Sequence, residues 1–163
     1  MQHFLSPENT DIIIKLFVAM ICGMVIGMER LFAHKTATMR TYSLVALGAA
    51  LFIIVSEKVA LGYSGFSGFN PTQMAASIIT GVGFLGAGLM IWRGTKLIGI
   101  TSATGLWVAA GIGMGAGFGF FSISVIATIL SLFIFVVLWF VEARLREVPF
   151  IKESDNGNGD ENE

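Results

Sequence analysis

Residues 121–141, FSISVIATILSLFIFVVLWFV, are the stretch of this sequence that decides its fold. The run carries no charged side chain and consists mainly of aliphatic and aromatic residues. A helix needs about 20 predominantly apolar residues to cross the hydrocarbon core of a bilayer. The run also places Trp139 near its end, and tryptophan is enriched at the membrane interface. We therefore predict a transmembrane helix here.

Four further apolar stretches precede this one, at residues 12–28, 42–59, 74–92 and 101–115. Pro71 stands just before the third, where a proline suits the first turn of a helix. The fourth is short and rich in glycine. Only 13% of all residues are charged, whereas a soluble domain carries about 25%. The sequence predicts an all-α, polytopic membrane helix bundle with about five transmembrane helices.

The lysines and arginines predict the orientation of these spans, because basic residues accumulate in cytoplasmic loops. With five spans, only Lys15 and Lys58 would lie on one side of the membrane. The other eight would share the opposite side: Arg30, Lys35, Arg40, Arg93, Lys96, Arg144, Arg146 and Lys152. We expect the N-terminus outside and the C-terminus in the cytoplasm. Residues 1–148 would form the membrane domain, and residues 149–163 a disordered acidic cytoplasmic tail.

Glycines are concentrated in the third and fourth spans, where twelve of the twenty lie between Gly81 and Gly119. One interpretation is close packing or self-association of helices through small residues. Two ridges would serve this purpose: Gly23 with Gly27, and Gly111 with Gly115 and Gly119. The other interpretation concerns GVGFLGAG at residues 81–88, which could break a helix and expose backbone groups to a solute path.

Charged residues flank the first connection between spans. Glu29 and Arg30 end the first span, and Arg40 opens the second. A carboxylate at a helix end in a membrane favours a cationic partner. Since a short loop joins the two helix ends, we predict an ion pair between Glu29 and Arg40. The alternative is that all three charges lie among lipid headgroups.

A hydroxyl cluster, Thr101, Ser102 and Thr104, begins the fourth span. In a membrane helix such hydroxyls usually donate to carbonyls one turn earlier or cap the helix. They could instead line a polar pocket beside residues 81–88.

The sequence also excludes several classes of function. It contains no nucleotide-binding loop, no His/Cys metal constellation and no nucleophile–base set, so we expect no enzyme activity and no cofactor. A formal net charge of -1 lacks the excess of positive charge that is typical of proteins that bind nucleic acid. Magnesium prefers carboxylates and retained waters. Glu29 and Glu57 are predicted to lie on opposite faces of the membrane, so a magnesium site within one subunit is not expected, and any metal is unknown.

Five blocks of the sequence resemble the MgtC/SapB family. They are GMER at residues 27–30, MRT at 39–41, GVGFLGAG at 81–88, GITSAT at 99–104 and LWVAAGIG at 106–113. The resemblance implies a multi-pass protein of the bacterial inner membrane that is linked to magnesium homeostasis and, in some pathogens, to survival inside host cells. Two activities are implied for such proteins: transport of an ion or small solute, and regulation of other membrane proteins such as the ATP synthase or ion pumps.

The resemblance also assigns candidate residues. Its acidic-basic pair corresponds to Glu29 and Arg30, and its loop arginine to Arg40. The remaining candidates are the glycines and the residues that open the fourth span: Gly81, Gly83, Gly86, Gly88, Thr101, Ser102, Thr104 and Trp107. Because so many polar and flexible residues lie in spans three and four, the sequence favours transport over regulation. With few helices to enclose a path, we expect a homodimer in the membrane lipid, with a membrane-protein partner as a further possibility.

Two departures from the family stand out. Where the family reads Asp-Pro-x-Arg before the third span, this chain has Asn70-Pro71-Thr72-Gln73, without either charge. The soluble C-terminal domain of longer members has no counterpart in the sequence, which carries a short acidic segment instead. We expect a protein that keeps the membrane activity of the family without this domain.

Overall fold

The computed structural model describes residues 6–62 and 71–145. The described residues form six α-helices, a two-stranded hairpin and a π-helical turn. In chain order these are α1 Pro7–Phe32, α2 Met39–Gly62, α3 Pro71–Leu89, β1 Ile91–Arg93, β2 Lys96–Ile98, α4 Ile100–Gly117, α5 Phe121–Phe133, the π-helical turn Ile134–Leu138 and α6 Trp139–Leu145. The chain divides into two compact units, Met1–Ser131 and Leu132–Glu163.

Four helical stretches are long and apolar enough to cross a membrane: Pro7–Phe32, Met39–Gly62, Thr72–Leu89 and Phe121–Leu145. The prediction of an all-α, polytopic membrane bundle is therefore confirmed. The remaining predicted span corresponds to α4, whose 18 residues rise about 27 Å, close to the thickness of the hydrocarbon core. Most of the buried residues of α4 are the small residues alanine and glycine.

Helices α1 and α2 pack antiparallel through the ridge predicted at Gly23 and Gly27. A side chain at Gly23 would meet the Tyr42 carbonyl oxygen at 2.6 Å, and one at Gly27 would overlap the backbone of Met39. Because neither glycine has a side chain, the two backbones approach closely. The packing interpretation of this ridge is confirmed.

Helices α2 and α4 run parallel to one another along a second glycine contact. Side chains at Gly113 and Gly117 would overlap the backbone at Ala46 and Ala50, respectively. The predicted ridge of Gly111, Gly115 and Gly119 does not form this contact. Of its members, Gly115 lies close to α5, where a side chain would meet the Ser124 hydroxyl at 2.8 Å. Two residues along a helix are about 200° apart, so Gly111 lies on a different face from Gly113 and has open space around it. Gly119, with φ +81°, belongs to the turn before α5.

The interior of the first unit is made of small and aliphatic side chains. Ala19, Ala50 and Ala116 meet where α1, α2 and α4 converge. A second cluster joins α3 to α2 and α4: Ile78, Val82, Ala49, Ile53 and Ala110. On α5, the Ser124 hydroxyl donates to the carbonyl of Ile112 on α4 at 2.9 Å.

The third predicted span extended to residue 92, but α3 ends at Leu89 and a hairpin follows. Its strands pair antiparallel, with Trp92 opposite Leu97 and Arg93 opposite Lys96. Gly94 and Gly99 adopt positive φ angles of 61° and 95°, which favour glycine over other residues. These glycines turn the chain where continuous hydrophobicity predicted a longer helix.

Basic residues are concentrated at one end of the first unit, here called the basic end. The α1–α2 connection and the hairpin both lie there, because the parallel helices α2 and α4 begin at these two connections. They carry Arg30, Lys35, Arg40, Arg93 and Lys96. At the opposite end the Lys15 Nζ lies 3.1 Å from Asp11 and 3.7 Å from Glu57, and Lys58 pairs with Glu8.

In the second unit, the Arg144 guanidinium lies 5.7 Å from the centroid of the Phe140 ring. Several residues named in the sequence predictions lie outside the described residues: Asn70, Arg146, Lys152 and the tail at residues 149–163.

Candidate functional site

Four polar residues of the first unit gather near the basic end. We call Glu29, Arg30, Tyr42 and Ser102 the buried polar cluster. Arg30 is only 3% exposed and Tyr42 is fully buried. The Tyr42 hydroxyl donates to the backbone carbonyl of Ser102 at 3.2 Å, which joins α2 to α4. Glu29 and Arg30 lie near the end of α1, just beyond Gly27, which packs on the start of α2.

The end of α1 builds the charged part of this cluster. Arg30 lies in the last turn, and its Nε donates to the carboxylate of Glu29. The turn that follows is closed by the Ala33 amide, which donates to the Glu29 carbonyl at 2.9 Å, and by the Lys35 amide, which donates to the Arg30 carbonyl at 3.0 Å. A buried arginine is costly unless it is paired. The adjacent carboxylate therefore balances the charge of Arg30 inside the helix bundle.

The predicted ion pair between Glu29 and Arg40 is wrong, because Glu29 pairs with Arg30 instead. Arg40 is exposed, whereas Tyr42 points into the bundle from the same helix. Residues two apart on a helix face nearly opposite directions. Since α2 uses Tyr42 on its inner face, Arg40 is directed away from Glu29.

The hydroxyl cluster at the start of α4 is divided between two faces. Ser102 is buried beside Tyr42, while Thr101 and Thr104 are exposed. The Thr104 hydroxyl donates to the carbonyls of Ile100 at 3.2 Å and Thr101 at 3.0 Å. For Thr104 the prediction of bonding back to its own helix is confirmed.

The glycine signature of α3 does not break the helix. Residues 81–88 lie within one continuous α-helix, so the hypothesis of a broken helix is wrong for this structure. Gly86 faces α4, where a side chain would lie 3.5 Å from the Cβ of Ala103, an ordinary contact. Gly81, Gly83 and Gly88 have open space around them. The first unit therefore leaves three of the four signature glycines without a packing role.

Trp107 lies apart from the buried polar cluster. It is 52% exposed and borders a cavity of about 290 Å³ between α3, α4 and α5. Ile79, Gly111 and Ile123 also line this cavity. We call Gly81, Gly83 and Gly88 the open glycines. Neither these glycines nor Trp107 shares one site with Arg30.

The described residues provide no ready coordination site for a metal, since no three of their histidines, cysteines, aspartates and glutamates come together. Away from the cluster, the buried polar side chains are hydroxyls: Ser56, Ser124, Thr128 and Ser131. The last three donate to backbone carbonyls. Between the two ends of the first unit, the interior of the described helices is lined by alanine and isoleucine, not by a continuous series of polar groups.

Sequence reasoning missed Tyr42. The available signal was its hydroxyl on an aromatic ring, at the first residue of the predicted second span and two residues after Arg40. A buried tyrosine hydroxyl usually has a hydrogen-bond partner, which here lies 60 residues away in the sequence.

Comparison with known proteins agrees with the resemblance to the MgtC/SapB family. The MgtC family matches this chain over residues 16–144. A "putative magnesium transporter YhiD" from Escherichia coli (strain K12) is 36% identical over 131 residues, covering 77% of this chain and 60% of the relative. Protein MgtC from Salmonella typhimurium (strain LT2) is 37% identical over 143 residues, covering 88% and 59%. The chain thus spans about three-fifths of the length of these relatives. No solved structure gives a significant match.

Proposed function

This chain is a multi-pass membrane protein of the MgtC family, and we propose that it acts in magnesium homeostasis as a regulator that binds another membrane protein. Regulation replaces transport as the favoured activity because the broken helix, on which a solute path depended, is absent from α3. The described interior of the first unit also lacks a continuous polar path.

The open glycines of α3 are the observation that carries this proposal. Glycine within a helix is about 0.8–1.0 kcal/mol less favourable than alanine. Gly81, Gly83 and Gly88 bear this cost without allowing any close approach among the described residues. In membranes, small residues in helices allow a neighbouring helix to pack closely. These glycines flank the exposed side of α3, with Gly83 on one side of Phe84 and Gly81 and Gly88 on the other. A transmembrane helix of another membrane protein is the occupant that we propose for this side.

The exposed side chain of Phe84 is a second observation that supports the same surface. It is 80% exposed and projects from α3 between the open glycines. A large aromatic side chain beside small residues offers a knob and a recess on one helix. Such a surface suits the packing of a second helix better than it suits conduction of an ion.

Transport stays a second candidate function, supported by the relative that is named a putative magnesium transporter. Because one unit lacks a polar path among its described residues, a path would have to form between two copies. We propose a homodimer as the assembly in that case, since it is the simplest closed arrangement of two identical chains.

A flux assay separates the two functions. Purified protein is reconstituted in liposomes and tested for flux of magnesium, potassium, sodium and protons. We expect no flux above that of empty vesicles. Flux that Arg30→Gln abolishes, in a variant that still reconstitutes, would overturn the regulatory proposal.

Cross-linking in cells tests the α3 surface directly. A photoreactive amino acid replaces Phe84 on α3, and, as a matched control, Phe17 on the exposed side of α1. We expect an adduct with a different membrane protein from position 84 only, lost in the Gly83→Leu variant together with rescue of growth at low magnesium. An adduct at twice the mass of the chain would favour the homodimer instead.

We also propose that the protein lies in the bacterial inner membrane with its basic end in the cytoplasm. Five of the seven lysines and arginines described in the first unit support this orientation. A reporter inserted at the turn between β1 and β2 should be active in the cytoplasm. A reporter inserted between α2 and α3 should be active on the outer side, and finding both on one side would contradict the orientation.

A further inference from the structure

A groove of about 390 Å³ runs between α1 and α2, on the outside of the helix bundle. It is mainly apolar and opens at the basic end, where α2 begins. It is lined by Met20 and Met24 of α1 and by Met39, Arg40, Ser43, Leu44 and Leu47 of α2. We call it the Arg40 groove.

Among the described residues, Arg40 is the only charged one that lines this groove. It is exposed, and no carboxylate among the described residues lies within ion-pair distance of it. Glu29 is the one acidic residue described at this end, and it already pairs with Arg30. The groove therefore has an uncompensated positive charge at one end and an apolar surface beyond it.

The position of Arg40 corresponds to the depth of lipid headgroups. It lies in the first turn of α2, next to the connection that carries Lys35. From Arg40 to Leu47 the helix rises about 10 Å toward the middle of the hydrophobic span. A molecule that follows the groove would thus pass from the polar interface into the hydrocarbon region.

The chemistry of the lining selects among possible occupants. A guanidinium binds phosphate with two parallel hydrogen bonds, and the Ser43 hydroxyl lies one turn further on the same face of α2. Methionine side chains are flexible and adapt to irregular apolar partners such as an acyl chain. A helix from a second copy would have to bring a carboxylate to Arg40, and the described acid at this end is already paired.

We propose that the Arg40 groove binds an anionic phospholipid. Its phosphate contacts Arg40 and Ser43, and one acyl chain lies along Met20, Met24 and Leu47. This site is separate from the α3 surface and does not depend on which function the protein has.

Native mass spectrometry of the full chain in mild detergent tests the proposal. The protein is titrated with phosphatidylglycerol, which is anionic, and with phosphatidylcholine, which is zwitterionic. We expect tighter binding of phosphatidylglycerol, and Arg40→Gln should weaken it on the order of tenfold. Arg93→Gln is the matched control, because it removes the same charge at the same end outside the groove. An equal effect of the two substitutions would overturn the proposal.

A second variant tests the apolar part of the groove. Met24→Trp fills it without changing a charge, so binding of both lipids should fall while the melting temperature is unchanged. Competition with inorganic phosphate identifies the source of the phosphate group. Retention of phosphatidylglycerol in millimolar phosphate supports a lipid, whereas displacement by phosphate would show that the site binds a soluble anion.

Discussion

Helices α3 and α4 are both rich in glycine, yet they use it in opposite ways. On α4, Gly113 and Gly117 lie against the backbone of α2, and a side chain at either position would overlap it. On α3, Gly81, Gly83 and Gly88 lie against nothing described in this chain. Composition alone therefore does not reveal the role of a membrane glycine. The contacts divide the two helices into one that holds the bundle together and one that presents a surface.

This contrast matters because a lipid environment gives little reason for helices to associate. Lipid tails are as apolar as leucine, so association depends on close packing and polar contacts. The α1–α2 and α2–α4 contacts satisfy that requirement within the chain. The outer face of α3 satisfies it only when another helix packs there.

The largest expected effect is at the α2–α4 contact. Gly113→Leu should prevent folding, because the side chain would have to displace the backbone at Ala46. Overpacking usually costs about 1–3 kcal/mol, and a clash with backbone exceeds that range. Gly111→Leu is the matched control, since its surroundings are open. Size-exclusion profiles and melting temperatures in detergent measure both; a monodisperse Gly113→Leu protein would disprove this contact.

The next largest change in stability is expected at the buried arginine of the basic end, and the exposed arginine at the same end is the comparison. Arg30→Gln removes the buried member of the ion pair and leaves the half-buried Glu29 without its partner, which should destabilise the protein by about 3–5 kcal/mol. Arg40→Gln should change stability by no more than about 0.5 kcal/mol, because Arg40 is exposed. Chemical denaturation of both variants in the same detergent gives the comparison.

A double-mutant cycle then tests which residue Glu29 contacts. Glu29→Gln combined with Arg30→Gln should cost less than the sum of the two, with a coupling of about 0.5 kcal/mol or more. Glu29→Gln combined with Arg40→Gln should be additive. Coupling to Arg40 instead would restore the pair that the sequence predicted.

A smaller loss of stability is expected for substitutions at Tyr42. Two of them together separate the contribution of its hydrogen bond from that of its packing. Tyr42→Phe keeps the ring but removes the donor to Ser102, and should cost about 0.5–1.5 kcal/mol. Tyr42→Ala would also create a cavity and should cost considerably more. If Phe and Ala were equally destabilising, the ring would contribute little and the contact with α4 would need revision.

Much of the fold could be predicted from the sequence, because membrane spans are a matter of length and hydrophobicity. Residues 121–141 illustrate this, since no other structure suits so long an apolar run. The Gly23 and Gly27 ridge was also predictable, since it repeats every four residues. Helix α4 was harder to predict, because its apolar stretch is short and rich in glycine.

The candidate site was only partly predictable, because it depends on which face each helix turns inward. Glu29, Arg30 and Ser102 were identified, but Tyr42 was missed and Arg40 was paired wrongly. The sequence places Arg40 and Tyr42 two residues apart without stating which of them is inside. That choice follows from the packing of α1 and α4 on α2, which is a property of the assembled bundle.

The last prediction concerns Gly83, where the effect on stability is smallest and the effect on function decides between models. Because Gly83 is helical and has open space around it, Gly83→Ala should leave stability unchanged or raise it by up to about 1 kcal/mol. Gly83→Leu should also fold, in contrast to Gly113→Leu.

If α3 docks on a partner helix, rescue of growth at low magnesium should decline with side-chain volume, slightly for alanine and completely for leucine. If residues 81–88 instead unwind during function, alanine alone should abolish rescue, because it disfavours the positive φ angles open to glycine. Melting temperature and growth rescue, measured together for both variants, separate these outcomes. Full rescue by the leucine variant would show that the face of α3 is used for neither.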